Sequence, residues 1–299
     1  MSSIRIGLAT DDVGIMKVSE AMGTEIDLAR KELFGISLDA FTMSQAVARC
    51  VTAIECREYM SIAVVNAAKV ILMRQDDALR DAVTSCDMVL ADGQSVVWAS
   101  GLLGKPLPER VAGIDLFTEL LAEAERKGYS VYFLGARADV LTRMLETVTR
   151  RFPGLKVAGS RDGYFSLDEE RVVAEEITDS HADLLFLGIS SPKKELFLSR
   201  WGQSTGVCVT HGVGGSFDVL AGVAARAPIW WQRHGMEWLY RALQEPLRLG
   251  PRYLKTNGAF IQLVGTEFVR GAFRKWSGVL RRRHGTEGES PAHPLPLSN

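Results

Sequence analysis

ADLLFLGISSPKKE, residues 182–195, is a continuous apolar run that ends in two serines, a proline and charged residues. A short run with no polar alternation fits a strand buried on both faces, the habit of parallel sheets. Pro192 then suits the first turn of a helix, where its missing N–H is not needed. The same alternation recurs outward in both directions. Upstream lie YMSIAVV (59–65) with the helical AAKVILMRQ, then MVLAD (88–92), then GIDLFTELLAEAERKG (113–128), which has helical spacing and stops on Gly128. SVYFLGA (130–136), a helix around 137–151, LKVAG (155–159) and a helix at 168–179 follow, and downstream comes GVCVTHG (206–212). Strands separated by single helices predict an α/β fold, a mostly parallel sheet with helices on both faces. Ligands of such sheets sit beyond the C-terminal strand ends, where Asn66, Asp92, Gly135, Ser190, Ser191, His211 and Gly212 all fall.

The segment from Gly212 to Tyr253 has a different character. The glycines Gly212, Gly214 and Gly215 precede a stretch in which Arg226, Arg233, Arg241, Arg248 and Arg252 alternate with apolar residues and with Trp230, Trp231 and Trp238. Arginines beside aromatics suit a multiply charged anion attached to something flat or greasy, such as a nucleotide diphosphate or a lipid diphosphate. From Arg226 to His284 there are twelve Lys/Arg against three Asp/Glu, although the whole chain carries a net charge of −1. A basic segment on an acidic body points to an anionic ligand or surface. After Pro228 the pattern is helical without further strands. The organisation expected is a leader over 1–33, a catalytic core over 34–228, a helical basic appendage over 229–284 and a disordered tail over 285–299.

With 299 residues, 46% of them hydrophobic and 24% charged, a sizeable core is available. Cys50, Cys56, Cys86 and Cys208 form no CxxC pair and sit among apolar residues, which reads as reduced core thiols of a cytosolic protein. The opening MSSIRIGLATDDVG lacks the apolar core of a signal peptide, and no run reaches the ~18 apolar residues of a spanning helix. Any membrane contact is therefore expected to be peripheral.

Asp92 closes the strand of VLADGQS, where a carboxylate can face the ligand crevice as a general base. Asp-Gly is also an ordinary strand-end turn, so the residue alone leaves both readings open. Asn66 in VVNAAK reads first as a helix cap and second as a sugar contact. Arg110, ahead of a helix, can grip a phosphate or lie in a surface loop. Ser191 and Lys194 form part of a polar elbow suited to a sugar or phosphate, though charged helix starts are common. Gly212, Gly214 and Gly215 do not complete a dinucleotide fingerprint, because Phe217 occupies the third glycine's place. No Walker loop, HExxH or Asp-x-Asp is present, so neither a metal site nor a cofactor is expected.

Taken in order, VVNAAK, ADGQSVV, ERVAGIDL, VYFLGA, RFPGL, DGYF, ADLLFLGISSPKKE, GVGGSFDVLAG, RAP and GMEWLYRALQEPLRLGPRY resemble the WecG/TagA/CpsF glycosyltransferases, from about residue 35 to 255. The resemblance implies a Rossmann-like core with an arginine-rich C-terminal appendage that closes over the site. It implies inverting transfer from a UDP-sugar to a polyprenyl-diphosphate-linked sugar at the inner membrane face. It thus implies an anionic membrane surface as a partner and no nucleic acid, and leaves a homo-oligomer open. By position, Asp92 matches the family's base, Asn66 and Arg110 match motif residues of the crevice, and Arg241, Arg248 and Arg252 match the appendage arginines that meet the diphosphate. Three departures stand out: Val64 where the family often has Thr, Lys194 where it usually has Gln, and Pro251 where an arginine commonly precedes the last motif arginine. The competing readings are a non-catalytic nucleotide- or lipid-binding module and a nicotinamide-dependent oxidoreductase. The presence of Asp92 argues against the first, and the broken glycine fingerprint against the second.

Overall fold

The computed structural model describes residues 30–244 and 246–284, with backbone alone at 241, 248, 249, 252, 253 and 274–284. The expected leader up to residue 29 and the expected tail from 285 lie outside the described residues. Arg30–Leu33, read from sequence as the end of the leader, form strand β1, which pairs antiparallel with β2 (Ile36–Asp39). Phe34 and Gly35 join them with φ of 57° and 79°, the left-handed pair that a two-residue hairpin turn requires. Thr42 and Gln45 then cap α1 (Met43–Glu55) reciprocally, each side chain taking the other residue's backbone N–H.

The core alternates as expected: β3 (Met60–Val65), α2 (Ala67–Met73), α3 (Asp77–Thr84), β4 (Met88–Ala91), α4 (Gln94–Leu102), α5 (Gly113–Lys127), β5 (Ser130–Gly135), α6 (Ala138–Arg151), β6 (Lys156–Arg161), α7 (Glu170–Asp179), β7 (Leu184–Gly188), α8 (Lys193–Trp201) and β8 (Val209–Gly212). Four helices complete the chain: α9 (Ser216–Leu220), α10 (Ile229–Arg233), α11 (Glu237–Gln244) and α12 (Pro246–His284). The six main strands order as β4-β3-β8-β7-β5-β6, every neighbouring pair parallel. This is a Rossmann-like arrangement. From β3 the chain steps outward to β4, crosses to β5 and β6, and returns through β7 to β8, so the order reverses between β3 and β8. Crevices form at such switch points.

The two faces of the sheet are packed differently. One is covered by α1, α5, α6 and α9 over a single cluster in which Phe117, Phe133, Phe186 and Phe217 touch ring to ring. On the other face two clusters stand apart. One joins the hairpin, α2, α3, α4 and part of α12; the second joins α7 and α8 to β5 and β7. Phe260 and Leu263 of α12 are buried in the first, with Phe260 against Phe34. The middle of α12 is thus part of the fold. The hairpin is fixed to the sheet by Asp39, whose buried carboxylate accepts the Val89 amide of edge strand β4 at 2.7 Å and the Arg30 guanidinium at 2.9 Å. Cys50 and Cys208 are buried as expected, but Cys56 is exposed at the C-cap of α1, and all four thiols are free.

Candidate active site

A cavity of about 270 Å³ lies at the β3/β8 switch point, beyond the strand ends. Asn66 follows β3 and lines it, while its side-chain oxygen accepts the Lys69 amide at 3.0 Å, so it also caps α2. The cap reading of Asn66 is met, and the same side chain stands in the cavity wall. Asp92, directly after β4, lines the same wall, and its Oδ1 accepts the Gly113 amide at 3.1 Å. That bond ties the carboxylate to the start of α5, whose N-cap residue Ala112 offers no side chain of its own. Gly93 and Ala112 leave the α4 and α5 N-termini without side-chain caps from their N-cap positions, so N–H groups and helix dipoles favour an anion in this crevice.

Gly212, Gly214 and Gly215 form the opposite wall. A Cβ on Gly212 would stand 2.7 Å from Lys194 Cε, so the glycine is what lets the lysine stem pass β8. Lys194 lines the cavity, and Ser191 does not. Ser191 instead stands behind the lysine, accepting from Lys194 Nζ at 2.7 Å and donating to Glu195 Oε1 at 2.8 Å. Lys69, one turn beyond Asn66, also lines the cavity and donates to Glu195 Oε1 at 2.8 Å.

Three ionisable groups below this wall are perturbed. Burial pushes the Lys194 ammonium down, with the Lys69 charge adding and Glu195 opposing, to about 8. Burial would raise Glu195, but the two lysines together outweigh it and hold the carboxyl at about 2. Burial lowers His211 to about 4, with the Gly113 hydrogen bond opposing. His211 Nε2 donates to the Gly113 carbonyl at 3.1 Å, so the ring holds its proton there, and Nδ1 is left without a partner.

The C-terminal helices contribute to the cavity mouth. Arg110 Nη2 lies 3.3 Å from Glu237 Oε2, both side chains largely buried, and Glu237, Trp238 and Asn257 join the lining. Arg226 pairs with Asp115 of α5 at 2.7 Å, anchoring the loop before α10. Arg241 falls in α11, and Arg248 and Arg252 in α12; their side chains lie outside what the structure describes. Sequence reasoning did not single out Lys69, Glu237 or Asn257, and named Trp238 among the aromatics beside the arginines. Lys69 was findable, three residues into the helix that Asn66 caps.

A second, larger cavity of about 530 Å³ lies in the seam between the two clusters on the α2/α8 face, lined by Tyr59, Ser61, Cys86 and Glu195. It lies under the sheet and away from Asp92 and Asn66, which line only the smaller one. Lys69 and Lys194 are the partition between the two. Among the described residues no cluster of three or more His, Cys, Asp or Glu gathers in a metal-binding arrangement.

A carboxylate, helix N-termini and glycine turns around a cavity at the switch point define an α/β enzyme site for an anionic ligand. The chain belongs to the glycosyl transferase WecG/TagA/CpsF family, whose sequence profile matches residues 31–274. It is 41% identical over 174 residues to an N-acetylglucosaminyldiphosphoundecaprenol N-acetyl-beta-D-mannosaminyltransferase of Bacillus spizizenii, covering 58% of this chain and 67% of that one. The Bacillus subtilis protein of the same name is 35% identical over 168 residues, 56% of this chain and 65% of its own. The matched regions thus span about two thirds of these relatives.

Proposed function

We propose that this chain is an inverting glycosyltransferase that moves a sugar from a UDP-sugar to a polyprenyl-diphosphate-linked sugar. The product serves bacterial cell-surface polysaccharide, of the exopolysaccharide, teichoic acid or enterobacterial common antigen type. The observation that carries the reading is Asp92, held by Gly113 at the edge of an anion-favouring cavity in a chain of this family. Inversion needs one base and a stabilised leaving group. Asp92 takes the proton of the acceptor hydroxyl as that oxygen attacks the anomeric carbon, and the C1–O bond to UDP breaks with its electrons on the diphosphate. The α4 and α5 N-termini, the glycine turn and Arg110 receive that charge.

The basic helices over 229–284 act as an appendage that completes the donor site, with Arg241, Arg248 and Arg252 meeting the diphosphate. They also hold the enzyme peripherally on the anionic cytoplasmic face of the membrane. In support, Leu247, Leu254 and Phe273 are 94%, 80% and 64% exposed on a helix that also carries Lys255 and Arg270. Apolar side chains beside cations suit a headgroup layer. No helix among the described residues is long and apolar enough to cross a membrane.

A panel of UDP-sugars offered with a polyprenyl-diphosphate-linked sugar, with products read by mass, tests the reading. Transfer from at least one donor is the result expected. A melting temperature raised by NAD(H) and unmoved by UDP would overturn it.

A further inference from the structure

Glu195 is bonded through one oxygen only. Its Oε1 accepts from Lys69 Nζ at 2.8 Å, from Ser191 Oγ at 2.8 Å and from Lys194 Nζ, whereas Oε2 is buried without a partner. A charged oxygen withdrawn from water with no donor is costly, so it favours a ligand that supplies one. Glu195 is 6% exposed and lines the larger cavity, not the one beside Asp92.

That larger cavity is built like a binding pocket. Its volume of about 530 Å³ falls within the range of ligand sites, ~300–1,000 Å³. Lys69, Lys194 and Glu195 form its inner end, and Ala63 of β3, Ala82 of α3 and Leu198 of α8 give apolar walls. The exposed Ser85, Ser199, Gln203 and Ser204 mark its mouth. Arg200 also stands there, but its guanidinium is bonded to Glu170 at 2.9 and 2.6 Å. The mouth therefore presents neutral hydrogen-bonding groups.

The inner end sets the class of ligand. An ammonium group would approach Oε2 against the charges of two lysines, and a carboxylate or phosphate would meet the charged oxygen of Glu195. A hydroxyl suits both neighbours, because its O–H donates to Oε2 while its lone pairs accept from an ammonium. Several hydroxyls on a ring, with C–H faces for Ala82 and Leu198, describe a neutral carbohydrate.

We propose that the larger cavity is an effector site for a neutral carbohydrate, one hydroxyl of which donates to Glu195 Oε2. That bond draws carboxylate charge away from Lys69 and Lys194. Both lysines also line the cavity beside Asp92, which becomes more positive and holds an anionic nucleotide more tightly. The coupling is reciprocal, so the nucleotide tightens the carbohydrate by the same factor. Only this coupling rests on the reading of the smaller cavity as the donor site.

Calorimetry on the full chain tests the proposal with glucose, N-acetylglucosamine and cellobiose, and with glucuronate and protonated glucosamine as charged counterparts. Each sugar is titrated with and without saturating UDP. At least one neutral sugar should bind about tenfold more tightly than the charged forms, and UDP should tighten it about fivefold. Cellobiose against glucose separates a glycan end from a free sugar. Ser199→Trp, which fills the mouth from an exposed position, should weaken the sugar at least about tenfold and leave UDP affinity and basal transfer as in the wild type. Ser85→Trp, from the C-cap of α3, gives a second reading if the first variant melts early. Absence of binding by every neutral probe, or preference for a charged form, overturns the site. So does binding that survives both substitutions, which would put the sugar in the crevice beside Asp92. Sugar binding that leaves UDP affinity unmoved overturns the coupling. Failure of UDP itself to bind overturns the glycosyltransferase reading, and the comparison with the blocked mouth still decides the effector site.

Discussion

Arg110 and Glu237 meet at 3.3 Å across the cavity mouth, joining the loop before α5 to the first residue of α11. The pair is separated by 127 positions in sequence and is largely withdrawn from water. It fastens the C-terminal helices over the site and aims the one mouth-side arginine whose side chain is described in the cavity lining. Arg110→Met and Glu237→Gln, singly and together, should show a coupling energy of about 0.5–3 kcal/mol in a double-mutant cycle on stability. Additive effects would mean that the contact does not hold α11 in place.

Asp92→Asn should lower kcat by about 10²–10⁴-fold while UDP binding changes little. Asparagine keeps an oxygen for the Gly113 amide, so the start of α5 is retained and only basicity is lost. Initial rates and calorimetry separate the two effects. Residual activity above a tenth of wild type would remove Asp92 from the role of base.

Acid should destabilise the fold well before carboxylates protonate in bulk. His211 is lowered from its usual 6.5 to about 4, so between these values the unfolded chain binds more protons than the folded one. Stability therefore rises with pH through that window and is lost on acidification from about 6.5 downward, by about 2 kcal/mol on reaching pH 5. Glu195, held at about 2 against 4.5, adds a further loss below 4.5. Urea unfolding at pH 7.5 and 5 measures the slope. His211→Gln should flatten it, and an unchanged slope would reject this source.

Removing everything from Gln244 onward, a cut that a separate appendage over 229–284 would tolerate, should not leave a folded core. It takes away Thr256, Phe260 and Leu263, 7%, 4% and 8% exposed, and uncovers the cluster formed with the hairpin and α2. Losing a Phe and a Leu from a core costs about 2–5 kcal/mol each, comparable with a domain's whole stability. Stopping after Ala272 keeps these contacts and removes Phe273 with the basic run that follows. That shorter chain should melt within a few degrees of the full protein and sediment less with anionic vesicles at low salt. A normal melt for the longer deletion, or unchanged vesicle binding for the shorter one, would overturn the division.

The main sheet was legible because parallel strands buried on both faces leave contiguous apolar runs such as LLFLG and MVLA, and their polar ends mark the crevice. The hairpin was not legible. RKEL and ISLD are four residues each with charged members, and their turn is Phe34-Gly35 rather than Asn-Gly. The bonding of Ser191 to Lys194 and Glu195 was not legible for a related reason: its motif sits at a strand end, but which way the hydroxyl turns depends on α8 packing. Glu237 and Asn257 reach the cavity through helix docking, which no local period encodes.

The attachment of Asp39 to Val89 bears on how copies of this chain meet. A parallel sheet has two raw edges, each a template for pairing with another molecule. At β4 the outward amide of Val89 is already taken by a side chain, and a two-stranded ribbon lies alongside. At β6 the register slips opposite Val131 and Tyr132, and Lys156 stands exposed. With both margins blunted, strand exchange between molecules is discouraged, and any self-association is steered away from the sheet toward helical surfaces.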